Sequence, residues 1–282
     1  MAVAPLAERL GFGPTDRVVI VSADGLGVSH ATTVGCYDAL RAGGATSASL
    51  VMPGPWSRFA ASQYRGEDVG VDLTLNAEHE LLRWGPITQA PSLLDGDGGF
   101  PRTLLDVWDH ADVDEVRREC RAQIERAVLW GFDVTHLTSH LATMQLRPEL
   151  FDVYLDMALE FGLPMRLADA ADQLAVGFPF RELAEEENVI APDRVVGVLG
   201  GRIGESPGAS LAEALAGVGE GVTEIVLYPA ADDAELRSYD QQADSSVRDA
   251  RELADATAVA AAVARAGVQL VGWRALRAIM RR

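Results

Sequence analysis

The chain has no lysine: all 24 basic residues among its 282 positions are arginine. That absence excludes Schiff-base catalysis through a lysine amine. It also excludes a Walker-type phosphate loop, whose lysine reaches the phosphates. Cysteine is scarce as well. Cys36 and Cys120 lie far apart with no CxxC pair, which reads as two buried thiols and not as a disulfide framework. No stretch reaches the run of about 18 apolar residues that a membrane helix needs, and Met1 to Gly13 lacks the apolar centre of a signal peptide. No membrane partner and a cytoplasmic location are therefore expected. Positive charge is in deficit, 24 basic against 42 acidic residues, for a net charge of −18. Phosphate backbones repel such a surface, so nucleic acid is excluded as a partner.

What is present suits a large core: 48% of the residues are hydrophobic. Strand and helix patterns alternate along the chain. Arg17 to Ala23 is a β-branched strand followed by a turn, Asp24-Gly25-Leu26-Gly27, and a helix to about Ala42. Ala45 to Met52 and Asp68 to Leu75 read as further strands, as do Val134 to His140, Pro164 to Leu167, Val195 to Leu199, Val222 to Leu227 and Val268 to Val271. Helices are expected over Asp112 to Trp130, Pro148 to Phe161 and Ser245 to Arg265. The first carries Val113, Val116, Cys120, Ile124 and Ala127 on one face. With no repeat and no linker, the reading is one β/α-barrel domain over 1–282, interrupted by a long loop at about 76–110 that suits a functional segment or a lid. A homo-oligomer is compatible with all of this.

In a β/α barrel, reactive groups gather at the C-terminal ends of strands. Asp24, Asp72 and His140 occupy three such ends, and one imidazole with two carboxylates suits a divalent ion. Each also has a plainer reading: Asp24 shaping a turn, Asp72 a hydrogen-bonded core carboxylate, His140 a satisfied loop histidine. His136, Thr138 and His140 alternate on one strand face, with His136 deeper and better suited to structure or support than to ligation. In the long loop, Arg83 beside Trp84 suits a sugar face through stacking and forked hydrogen bonds, or Trp84 simply packs the loop. Other patterns fail. His79-Glu80-Leu81-Leu82-Arg83 begins like HExxH but ends in arginine. Gly27-Val28-Ser29-His30-Ala31 ends in alanine where a nucleophile elbow needs glycine. Gly11-Phe12-Gly13 precedes a strand where a dinucleotide fingerprint would follow one.

An ordered set of segments resembles the YdjC-type carbohydrate deacetylases, relatives of the polysaccharide deacetylases. It comprises ADGLG (Ala23 to Gly27), ATSASLVMPGPW (Ala45 to Trp56), DVGVDLTLN (Asp68 to Asn76), THLTSH (Thr135 to His140), FGLPMRL (Phe161 to Leu167) and EIVLYPA (Glu224 to Ala230). The resemblance implies a distorted β/α barrel that removes acetyl groups from small N-acetylated carbohydrates with a divalent metal, zinc or magnesium. Carried onto this chain, it assigns Asp24, Asp72 and His140 to the metal. Asp24 is the base if it is not itself a ligand, and His136, His79 or a water is the candidate proton donor; Tyr228, with Arg83 and Trp84 read from the loop itself, is a candidate to face the sugar. The departures are as informative. Gly25 stands where the family has a second aspartate, Asp72 where it has histidine, Thr138 where it has aspartate, and Tyr228 where it has histidine. The alternative to a retuned hydrolase is a catalytically degenerate member that binds carbohydrate or regulates.

Overall fold

The computed structural model describes residues 4–168, 176–197 and 210–282. Among the described residues, seven strands form a single sheet in which every pairing is parallel: β1 (Arg17–Leu26), β2 (Ser47–Leu50), β3 (Val69–Leu73), β4 (Val134–Ser139), β5 (Arg194–Val196), β6 (Gly221–Leu227) and β7 (Gln269–Leu270). The order is β4-β3-β2-β1-β6-β5, with β7 pairing the N-terminal part of β1 at Val18 and Val19. The sheet curls into a half-barrel. Its open side is spanned by short segments. Met165 bridges to Leu137 of β4, the Met165 amide donates to the Ile190 carbonyl, and the Asp193 amide donates to that of Val222 in β6.

Strands buried on both faces read as continuous apolar runs, and β1 is one. Val19, Val21 and Ala23 join the main core beneath the helices. The alternate residues face the interior, which is graded from apolar to charged. At one end Val18, Ile20, Val222 and Ile190 pack with Leu6, Trp273 and Leu276. Trp273 belongs to the helix Trp273–Met280 and stacks flat on the His136 ring at 4.5 Å between centroids. Its indole N–H donates to Glu224, which also accepts from Ser22 Oγ at 2.6 Å. Beyond this level stand Asp24 and Asp72. Gly70 makes room for the stack: a Cβ there would lie 2.5 Å from the His136 ring.

The amphipathic helix Val113–Leu129 forms as expected, capped by Asp112, with Val116, Cys120, Ile124 and Ala127 buried. The same face buries two polar side chains. Glu119 accepts from the amides of Ile87 and Thr88, from Thr88 Oγ1 and from Gln123, while Gln123 bonds the backbone of Thr74. These contacts fasten the long loop after β3 onto the helix. The loop carries structure of its own, a 3-10 turn at Pro91–Leu93 and a helix at Leu104–His110.

Four sequence expectations need correction. Pro164 to Leu167 is not a strand but a segment joined to β4 by the single bridge at Met165. The helix expected over Ser245 to Arg265 is two, Ala243–Ala254 and Ala256–Ala266, because Asp255 leaves helical geometry and its side chain accepts from the Ala258 amide as an N-cap. β1 does not stop before Asp24 but runs on to Leu26. The strand expected at Val195 to Leu199 is Arg194–Val196, and residues 198–199 lie outside the described residues.

Candidate active site

The parallel register fixes which side chains meet. β3 and β4 pair Asp72 with Thr138, so both project from neighbouring strands at one level. Thr138 Oγ1 donates to Asp72 Oδ1 at 2.7 Å. β4 ends at Ser139, and His140 opens a tight turn whose next two residues, Leu141 and Ala142, have positive φ of 54° and 56°. That turn swings the His140 ring across the strand ends. Nδ1 lies 2.9 Å from Asp72 Oδ2, and Nε2 lies 2.9 Å from Glu78 Oε2. Glu78 comes from the long loop and has His79 on its other oxygen at 3.5 Å. An ionised carboxylate only accepts, so an imidazole held between two of them donates from both nitrogens.

Charge follows the geometry. Burial disfavours the His140 cation, but Glu78 and Asp72 on either side outweigh it and hold the ring well above the ordinary histidine range. Burial likewise pushes Glu78 up, yet its His140 neighbour prevails and brings it down to about 2. The His140 ring is therefore held as a cation between two carboxylates.

Asp24 lies beside this group in a different environment. Arg166 forks onto both of its oxygens, Nη1 to Oδ2 at 2.6 Å and Nη2 to Oδ1 at 3.2 Å. The same guanidinium donates to Glu224 at 2.7 and 2.8 Å, so one buried arginine joins two buried carboxylates. Arg166 is placed by the segment leaving Pro164: its amide donates to the Leu137 carbonyl, and the Tyr154 hydroxyl donates to the carbonyls of both Leu137 and Arg166. Burial raises the Asp24 carboxyl above its usual range even though Arg166 opposes the shift. Tyr228 follows β6, with its amide on Asp249. Burial raises its phenol, and the charges of Asp24, Asp72 and Glu78 act on it in the same direction.

The structure thus brings together Asp24, Asp72, His140 and Tyr228, and adds Arg166, Glu224 and Glu78, which sequence reasoning had not assigned. A signal for Arg166 existed: an arginine inside the apolar run Leu163-Pro164-Met165-Arg166-Leu167 cannot stay buried without carboxylate partners. Three assigned side chains lie elsewhere than expected. His136 does not reach the cluster. It is fully buried, sandwiched by Trp273 and Gly70, within reach of Thr135 and Ser49, and burial drives its pKa far down. Arg83 does not face a sugar. Its guanidinium is spent inside the loop on Asp95 and on the carbonyls of Ala77 and Phe100. Trp84 is 5% exposed and stands edge-on to His140 and His79 at 6.0 and 6.2 Å, so it is a wall behind the cluster and not an open platform. Its indole nitrogen has no hydrogen-bond partner among the described residues.

The family model for YdjC-like protein matches residues 18–265. The chain belongs to the YdjC-like family. A carbohydrate deacetylase of Geobacillus stearothermophilus is 30% identical over 261 residues, 92% of this chain and 97% of that protein. A carbohydrate deacetylase of Thermus thermophilus is 41% identical over 175 residues; the match spans 62% of each chain, so less than two thirds of that relative's length is covered. Among solved structures, a protein of Enterococcus faecalis provisionally assigned to cellobiose-phosphate cleavage superposes with a TM-score of 0.78 at 23% identity, covering 93% of this chain and 99% of that one. That likeness supports the YdjC-like half-barrel fold. Among the described residues, no helix is long and apolar enough to cross a membrane.

The donor arrangement does not fit the divalent ion that the family implies. Arg166 already compensates the Asp24 charge through both oxygens, both His140 nitrogens face carboxylates, and Gly25 supplies no donor. Among the described residues, no group of three or more His, Cys, Asp and Glu side chains is arranged to hold a metal.

Proposed function

We propose that this YdjC-like protein hydrolyses the acetamide of a small N-acetylated carbohydrate at the cluster of Asp24, Asp72, Glu78, His140 and Tyr228. The observation that carries the reading is His140 held between Asp72 and Glu78 at the C-terminal ends of the strands, beside an Asp24 that is oriented by Arg166. Barrel enzymes do their chemistry at this end.

Amide hydrolysis needs a proton taken from water and a proton given to the leaving amine. Asp24, raised by burial and fixed by the arginine fork, suits the first task. As water attacks the carbonyl carbon, Asp24 accepts its proton. The Tyr228 hydroxyl donates a hydrogen bond to the developing oxyanion. When the C–N bond breaks, the Nε2 proton of His140, which Glu78 now accepts, passes to the sugar nitrogen. Acetate and a free amine leave. Asp72 and Glu78 keep His140 charged and oriented, and Thr138 fixes Asp72. These steps use only side chains of the chain, in keeping with a donor set that is already committed.

The test is acetate release from N-acetylglucosamine and its oligomers, with Asp24→Asn and His140→Ala as controls. Release that both substitutions reduce by about 10²-fold or more supports the assignment. The saturated His140 also favours a second reading, a carbohydrate-binding member without hydrolysis. Saccharide binding by calorimetry with no acetate release establishes that reading and overturns the first.

A further inference from the structure

We propose that Arg166 acts as a built-in cation where a divalent ion would otherwise stand, so that this chain neither takes up nor requires a metal at the cluster. A metal takes a lone pair from an unprotonated imidazole nitrogen and from carboxylate oxygens turned toward it. On Asp24, Oδ1 and Oδ2 each receive an Arg166 N–H. On Asp72, Oδ1 receives the Thr138 hydroxyl and Oδ2 faces His140 Nδ1. Glu78 Oε2 faces His140 Nε2, which leaves the ring no free nitrogen.

Gly25 supplies no ligand beside Asp24: a Cβ there would meet only Thr32, at 3.7 Å or more, but its φ of +95° is a backbone conformation that L side chains rarely adopt. The arginine is not adventitious. It is 2% exposed, its fork engages two carboxylates in four hydrogen bonds, and its backbone is tied to β4 and Tyr154. An entering ion would have to break the Arg166–Asp24 fork in a buried site. That change uncouples a compensated charge in the interior, and losing one partner of a buried pair is strongly unfavourable.

The inference concerns the site of the proposed deacetylase, but ion uptake reads it directly, so a failure to release acetate leaves it standing. The full chain, purified without chelator, is incubated separately with zinc, magnesium and manganese chlorides and desalted. Metal per protein, the melting temperature with each ion present, and the ring-nitrogen resonances of His140 with and without zinc are then measured. The expected result is metal content no higher than in Asp72→Ala and His140→Ala, a melting temperature unmoved by saturating ion, and His140 resonances unmoved. Stoichiometric uptake lost in both variants, or a rise of about 5 °C or more that His140→Ala abolishes, overturns the proposal. Uptake that persists in both variants places the ion elsewhere on the acidic surface and supports it. If either alanine variant fails to fold, His140→Gln and the resonance measurement on the unmodified chain decide the matter.

Discussion

Arg166 gives the sharpest prediction. Arg166→Met keeps much of the side-chain volume but deletes the charge between Asp24 and Glu224, carboxylates that are 5% and 0% exposed. Four hydrogen bonds disappear and two buried anions lose their counter-ion. Breaking a buried pair from one side costs about 3–5 kcal/mol, because the remaining charge has neither solvent nor partner. For a chain of this size that is a fall in melting temperature on the order of 10 °C. The pH dependence provides the stricter check. In the variant the orphaned carboxyls bind protons more tightly folded than unfolded. The folded state then holds more protons, and stability falls as pH rises from the unfolded carboxylate range through the raised folded pKa. Thermal melts at pH 5 and pH 8 should therefore separate the variant from the parent more widely at pH 8. Adding Glu224→Gln to Arg166→Met removes one orphan and should recover part of the loss. A melting temperature within about 3 °C of the parent at both pH values would refute the account of a compensated interior charge.

Other substitutions probe other levels of the barrel. Glu78 is lowered from 4.5 to about 2 by its contact with His140, so the contact stabilises the fold above pH 4.5, and that stability is lost as pH falls toward 2. The loss is about 3 kcal/mol, counted once for the pair, and Glu78→Gln should flatten this acid limb in urea titrations. Gly70→Ala would place a methyl 2.5 Å from the His136 ring. It should destabilise by about 1–3 kcal/mol, read by chemical denaturation. His136→Phe keeps the stack on Trp273 and should leave acetate release within about threefold of the parent, whereas His140→Ala should lower it about 10²-fold or more. A large effect at His136 in a stably folded variant would restore it as a candidate proton donor.

Much of the architecture was legible in the chain because burial leaves a pattern. β1 and β6 are β-branched runs, and the stripe of the helix Val113–Leu129 repeats at helical spacing. The break at Asp255 was not legible, since an alanine-rich window masks a cap whose evidence is one side-chain bond to Ala258. The site was half legible. Strand ends carrying Asp24, Asp72 and His140 point to one barrel mouth, but their partners come from segments with no period. Glu78 is delivered by an irregular loop, and Arg166 by a connection that bridges the sheet at a single residue. Strand alternation put His136 and His140 on a common face; depth along the barrel separates them, and depth has no signature in a one-dimensional pattern.

The packing of Trp273 has a consequence for the order of synthesis. Its indole closes the apolar end of the barrel, stacks on His136 and donates to Glu224, while Gln269 and Leu270 just before it pair with Val18 and Val19. Nearly the whole described chain therefore separates β1 from the residues that seal it. Until that segment emerges from the ribosome, the partnered charges at the centre remain open to water, and the half-barrel has no floor. Completion waits on contacts between residues far apart in sequence, the kind whose loop-closure entropy slows folding.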